Sequence, residues 1–314
     1  MCCLFGLVDT RHSLSGREKS QILHILASES EARGIDATGV AYNLGNQLYI
    51  HKRPIPGHKL QIRVCNDTAA VMGHTRMTTQ GRASRNKNNH PFFGRVDGIP
   101  FALAHNGMLF NDKQLRRTLK LPKTKIETDT YIAVQILEQR GALNFDSLRY
   151  MAEQVEGSFT FTVLDRSNNL YIVKGDSPMC LYWFPEYGVY LYDSTEEILN
   201  KALQRSGLSL GTPTRISLSC GEILQISSSG EISRGEFDNP YLYYSHWSPY
   251  YWSDKCSFTR QKFQPNLDGY LNMIKSIAMA FGYSPEDIDQ LCDLGFTPEE
   301  IEEYLYGRNL WEEI

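Results

Sequence analysis

Two blocks of short apolar runs with helical patterns between them set the architecture that this 314-residue chain can adopt. The first block reads as strands at Cys2 to Val8, Thr38 to Tyr42, Gln47 to His51, Ala69 to His74 and Phe101 to His105. The second reads as strands at Ser158 to Leu164, Leu170 to Lys174, Cys180 to Phe184 and Val189 to Tyr192, followed by a hairpin of Glu222 to Ile226 and Glu231 to Arg234 around Ser229-Gly230. Helical spacing covers Asp112 to Leu119, Asp129 to Arg140 and Asp146 to Gln154 between the blocks. Further helices are expected at Gly16 to Glu31, with Ile22, Leu23, Ile25 and Leu26 on the apolar side, and near Glu196 to Arg205. Strands, then helices, then strands again imply a layered α+β architecture instead of regular βαβ alternation. A long polar loop, Thr78 to Asn89, interrupts the first block, and loops of that length in a compact domain are commonly functional.

The chain is long enough to bury a substantial core without metals or disulfides. A hydrophobic fraction of 41%, a charged fraction of 22% and a net charge of -4 fit a water-exposed globular protein and give no basic excess to attract nucleic acid. The seven cysteines are odd in number and scattered, with no C-x-x-C spacing, so a reducing, cytoplasmic setting is expected. The apolar start MCCLFGLV has no basic leader and meets Asp9 and Arg11 too early for a signal peptide. No later run approaches the roughly 20 apolar residues of a membrane span.

Composition changes near Asp238, where NPYLYYSHWSPYYW concentrates tyrosine, tryptophan, serine and proline. The expected organisation is a main domain over residues 1-237, an aromatic-rich linker over 238-265 and a helical extension over 266-314. Within that extension Asn266 to Phe281, Ser284 to Leu294 and Thr297 to Leu305 have helical patterns, the last two opening on an N-cap, a proline and early acids.

The residue carrying the most chemical potential is Cys2, directly after the initiator methionine. Removal of Met1 would leave a free α-amine on the same residue as the thiol. With a reference pKa of about 7.7 to 8.0, that amine can serve as a base near neutrality, where a lysine at about 10.4 would be protonated. Taken alone, a cysteine at this position reads as a buried core residue.

The motifs that follow change that reading: MCCLFG, Arg33-Gly-Ile-Asp-Ala-Thr-Gly39, Gly73-His-Thr-Arg76, Asn89-His-Pro91, His105-Asn-Gly107 and Glu127-Thr-Asp-Thr130. In this order, from the second residue onward, they resemble the class II glutamine amidotransferases, over about residues 2 to 235. The resemblance implies a four-layer αββα sandwich of the Ntn-hydrolase type, with a small helical C-terminal appendage. It implies that Cys2 attacks the side-chain amide of L-glutamine, forming a thioester with release of ammonia, and that water then liberates glutamate. Asn106 and the backbone N–H of Gly107 would form the oxyanion hole. Arg76 would grip the substrate α-carboxylate and Asp129 the α-ammonium, with Thr79 and Gln80 as further substrate contacts. Gly34, Asp36 and Gly39 would shape the turn beside the nucleophile. No metal and no cofactor are implied, and His74, His90 and His105 are read as structural.

The sequence also departs from the family pattern. Cys3 stands where glycine usually follows the nucleophile and offers a competing thiol. Met77, Gln80 and Tyr131 differ from the sugar-phosphate synthase branch, while Cys2, Arg76, Asn106, Gly107 and Asp129 are intact, so a competent enzyme is expected. The roughly 80 residues after the main domain are too few for an acceptor-processing domain, so ammonia is expected to pass to a separate protein partner. Two other readings stay open: an Ntn-type hydrolase of a different amide, and a catalytically silent module with a partner-docking tail.

Overall fold

The computed structural model describes residues 2–244 together with 271, 274, 275, 278, 279, 282–294, 296, 301 and 305. The chain separates into two compact units, residues 1–239 and 240–314.

In the first unit thirteen strands form two antiparallel sheets. One holds β1 (Cys3–Asp9), β2 (Ala37–Leu44), β3 (Gln47–Arg53), β4 (Ala70–Arg76), β9 (Cys180–Phe184), β10 (Val189–Asp193) and β11 (Thr214–Ile216), in the order β11-β9-β10-β1-β4-β2-β3. The other holds β5 (Phe92–Val96), β6 (Ile99–Leu109), β7 (Gly157–Asp165), β8 (Leu170–Lys174), β12 (Glu222–Ile226) and β13 (Ile232–Glu236), in the order β13-β12-β8-β7-β6-β5. The expected strands recur with ends shifted by a few residues. Two were not anticipated. β11 is only three residues long, and β5, with Phe92, Gly94 and Val96 turned inward, carries a glycine that reads as loop.

Alternation along β1 explains the layering. Leu4 and Val8 join Met72 of β4, Ala102 and Ala104 of β6, Leu164 of β7 and Leu224 of β12 in the core between the sheets. Phe5 and Leu7 point the other way, into a second core with Ile22, Leu23 and Leu26 of α1 (Gly16–Glu29) and Leu199 and Ala202 of α5 (Glu196–Ser206). Beside the six-stranded sheet lie α2 (Asp112–Thr118), α3 (Tyr131–Arg140), which packs on β5, and α4 (Phe145–Gln154), which packs on β12. Two sheets face to face with helices outside form an α+β sandwich.

The β1-to-α1 turn is built around Asp9. Its carboxylate accepts from the Ser13 and Leu14 amides, each at 3.0 Å, and pairs with Lys19 at 3.1 Å, both side chains being fully buried. Lys19 also donates to the carbonyls of Asn66 and Thr68. Ser15 and Glu18 close a capping box at the start of α1. Removing one member of such a pair strands the other charge, so Lys19→Ala should cost about 3–5 kcal/mol, read as a lowered denaturant midpoint.

In the second unit the described residues include a short helix, Pro240–Tyr244, and a helix Pro285–Asp293 opened by a reciprocal Ser284–Asp287 capping box. The other two helical patterns expected there fall largely outside the described residues. Among the described residues no helix is long and apolar enough to cross a membrane.

Candidate active site

Sheet register gathers the motif residues at one end of the sandwich. Cys3 at the start of β1 pairs with Thr75 near the end of β4, which places Cys2 beside Arg76 and Met77. The Cys2 Sγ lies 3.5 Å from the Met77 carbonyl, and Arg33 Nε donates to the Cys2 carbonyl at 3.1 Å. Gly34 permits the close approach here, since a Cβ on it would lie 2.5 Å from the Arg76 carbonyl carbon. Asp36 ties the same turn together, donating its N–H to the Arg76 carbonyl and accepting from the Thr78 amide. Gly39 sits in β2, one strand over from β1 across β4.

Burial raises the Cys2 thiol pKa above its ordinary value, opposed by a nearby terminal amine, the Met77 hydrogen bond and Arg76, and reinforced by Asp129. Cys2 is therefore favoured as a thiol, and any attack by its sulfur needs a base to take the proton. The mutual influence of Cys2, Arg76 and Asp129 puts all three within electrostatic reach of one another.

Arg76 is almost fully buried. Nη1 donates to Asn89 Oδ1 at 2.7 Å, and Nη2 to the carbonyls of Gln80 at 2.5 Å and Gly81 at 3.0 Å. All three acceptors are neutral, so the guanidinium keeps its charge uncompensated by any direct carboxylate partner among the described residues. Gln80 thus meets Arg76 through its backbone, and Thr79 lies beside it in the same loop. That loop is fastened to the segment before Asp129: Arg85 pairs with Glu127, and Asn88 donates to Glu127 Oε2 at 2.9 Å.

Asp129 is buried, and Oδ2 accepts from the Leu109 amide at 2.6 Å. Burial raises its pKa, while the Leu109 hydrogen bond and Arg76 pull it down.

Asn106 and Gly107 lie within β6, not at its end, paired with Thr160 and Phe159 of β7. Phe159 gives its N–H to Asp176 at 2.8 Å, so Gly107 and Phe159 do not form a hydrogen-bonded pair. The His105 carbonyl, two residues earlier, accepts from His74 Nε2 on the side away from β7, and β5 stops pairing with β6 at Leu103. The Gly107 N–H therefore points out of the ladder. Gly107 has φ +135°, and a Cβ there would meet the Ser158 carbonyl at 2.0 Å, so only glycine fits.

The three histidines lie behind this end of β6, His74 and His90 edge to face. His90 Nδ1 is 2.7 Å from His74 Nε2, and His105 bridges Thr130 Oγ1 at 2.9 Å and the Ser158 carbonyl at 3.3 Å. Burial lowers all three pKa values, His105 to about 4. Neutral rings bonded in this way brace Thr130 next to Asp129. Among the described residues no group of three or more potential ligands could hold a metal ion.

Cys3 does not offer a rival thiol. It follows the outward alternation of Phe5 and Leu7, and its Sγ–H donates to Asp193 Oδ1 at 2.9 Å, with its pKa raised by burial and by Asp193. Asp193 also accepts from Ser30 Oγ at 3.0 Å and the Ser194 amide at 2.7 Å, and burial pushes its pKa up to about 7. Ser194 in turn accepts the Leu4 N–H at 2.9 Å and lies 3.3 Å from the Asn106 amide. Neither residue was marked by any motif; both stand at a strand end followed by the Thr195 N-cap of α5, a sequence indistinguishable from an ordinary strand-to-helix turn.

The two-sheet sandwich with a cysteine at the head of a central strand defines an N-terminal-nucleophile hydrolase fold. It overlays on glutamine phosphoribosylpyrophosphate amidotransferase from B. subtilis with a TM-score of 0.58 at 19% identity, over 76% of this chain and 49% of that one. It overlays on a structure described as the allosteric regulatory enzyme of purine biosynthesis with a TM-score of 0.60 at 20% identity, over the same shares of each chain. Residues 61–206 match the family model described as a glutamine amidotransferase domain. In sequence, the chain is 29% identical over 220 residues to a glutamine-fructose-6-phosphate aminotransferase of Chlamydia muridarum, covering 67% of this chain and 35% of the relative. The corresponding protein of Bacillus licheniformis is 31% identical over 174 residues, covering 52% and 28%. The chain thus spans about a third of the length of these curated relatives. Residues 61–206 thus match a glutamine amidotransferase domain, the family that the motifs from Cys2 to Thr130 resemble.

Proposed function

We propose that this domain hydrolyses the side-chain amide of L-glutamine, with Cys2 as nucleophile once Met1 is removed. The observation that carries this reading is the convergence of a buried thiol, a buried guanidinium with no direct carboxylate partner among the described residues and a buried carboxylate, Cys2, Arg76 and Asp129. The pair of charges suits the α-carboxylate and α-ammonium of a free amino acid, which a simple amide or a peptide glutamine lacks. The α-amine of Cys2 takes the thiol proton as sulfur attacks the carboxamide carbon. Asn106 and the Gly107 N–H receive the developing oxyanion, the amine returns the proton to the departing ammonia, and the same groups serve the attack of water on the thioester. Thr79 and Gln80 would contact the bound substrate from the loop after Arg76. The ammonia would pass to an acceptor held by a separate partner protein.

Arg76→Lys, which keeps the charge but loses the planar fork, should raise KM for glutamine and lower kcat/KM by about 100-fold. An analogue without the α-carboxylate should be a poor substrate of the wild-type protein and lose little further in the variant. A wild-type preference for that analogue over glutamine would favour an Ntn hydrolase of another amide.

A further inference from the structure

The end of β10 touches both halves of the reaction centre. Ser194 sits between the nucleophile strand, whose Leu4 N–H it accepts at 2.9 Å, and the opposite sheet, where its Oγ lies 3.3 Å from Asn106 Nδ2. In that orientation of the Asn106 amide, two groups are left over in a fully buried place. Asn106 Oδ1 has no hydrogen-bond partner, and the Ser194 hydroxyl hydrogen has only the Cys3 sulfur, a weak acceptor, to turn to. The oxygen and nitrogen of a side-chain amide are distinguished by their hydrogen-bond network and not by their shape. Turning the amide over gives both groups a partner, Ser194 donating its O–H to Asn106 Oδ1, and leaves the Nδ2 hydrogens facing the place where Oδ1 had no partner, unpaired until an acceptor arrives there.

We infer that Ser194 is a positioning residue that fixes the Asn106 amide with its N–H donors toward the carboxamide oxygen that becomes the oxyanion. The hydrogen bonds then run in one direction, from the Leu4 N–H into Ser194, from Ser194 into Asn106 and from Asn106 into the oxyanion, each polarising the next. Asp193 holds the relay in register by accepting the Ser194 amide, the Cys3 thiol and the Ser30 hydroxyl, so the strand that carries Cys2 and the donor opposite it are set by one dipeptide. This inference rests on the glutaminase reading of the site.

A double-mutant cycle on glutamine turnover by the Met1-free chain tests it. Ser194→Ala should lower kcat about ten-fold or more, with KM for glutamine within about two-fold, because an oxyanion donor acts in the transition state. Ser194→Cys, with a weaker donor of similar size, should fall between the two. In an Asn106→Ala background, Ser194→Ala should have no further effect on kcat. Thermal melts of every variant identify any that fails to fold, in which case Ser194→Cys and its Asn106→Ala double variant complete the cycle. Unchanged kcat in Ser194→Ala, or an equal loss with and without Asn106, overturns the role of Ser194 while leaving the glutaminase reading intact. Absence of turnover in the wild-type chain overturns that reading, and the role of Ser194 with it.

Discussion

Cys2→Ala is expected to abolish glutamate release, with kcat falling by about four orders of magnitude or more, since it removes the sulfur that forms the acyl intermediate. Cys3 cannot substitute, as its thiol faces the helix layer and is bonded to Asp193. The same chemistry ties activity to processing. Burial raises the Cys2 thiol pKa, so the proposed attack needs a base within reach, and the amine of Cys2 could serve as that base only with Met1 gone. The acid limb of kcat/KM should follow the titration of the α-amine, rising with pH around the reference value for a free α-amine, about 7.7 to 8.0. Blocking the amine by retained Met1 or by acetylation should flatten that limb at a low rate.

Asn106→Ala should lower kcat by about 100- to 1000-fold with little change in KM, the signature of a donor used only when charge develops on the amide oxygen. Two observations support so large an effect for one side chain. Asn106 is fully buried, where a single hydrogen bond to an anion is worth more than in water, and the Gly107 N–H that would act beside it is fixed by a backbone geometry only glycine can hold. Asn106→Asp should be no better than alanine, because a carboxylate would repel the oxyanion. An equal loss in KM and kcat/KM would instead mark Asn106 as a contact for the bound ground state.

Much of this site is written locally in the chain. The Cys2 position, the arginine closing β4, the Asn-Gly pair and the Thr-Asp-Thr turn each lie in a short string, and a strand or turn around them follows from apolar periodicity. The face-to-face sheets were not derivable in that way. Leu4 and Leu224 meet across the core, but alternation along β1 says only that Leu4 and Phe5 point to opposite faces. The placement came from the resemblance. Contacts made between distant segments were equally invisible. Nothing in the sequence ties Ser194 to Leu4 and Asn106, or Asp129 to the Leu109 amide, because a hydroxyl at a strand end or an acid before a helix is satisfied in many folds by its own neighbours. Asn106 and Gly107 were expected at the end of their strand, yet β6 continues to Leu109, since β7 pairs with it that far. Cys3 was misread for a related reason: without the register of β1 and β10, its carboxylate partner could not be foreseen.

The central claim is that Cys2, freed at its amine, reacts with a carbon held where the glutamine carboxamide sits. The most direct measurement treats Met1-free and Met1-retaining chains with a glutamine analogue that carries an electrophilic ketone in place of the carboxamide, then maps the modified cysteine by peptide mass. Modification at Cys2 alone in the Met1-free chain, suppressed by excess L-glutamine and slowed by Arg76→Lys, is the expected result. Labelling spread over other cysteines, or indifferent to L-glutamine, would contradict it.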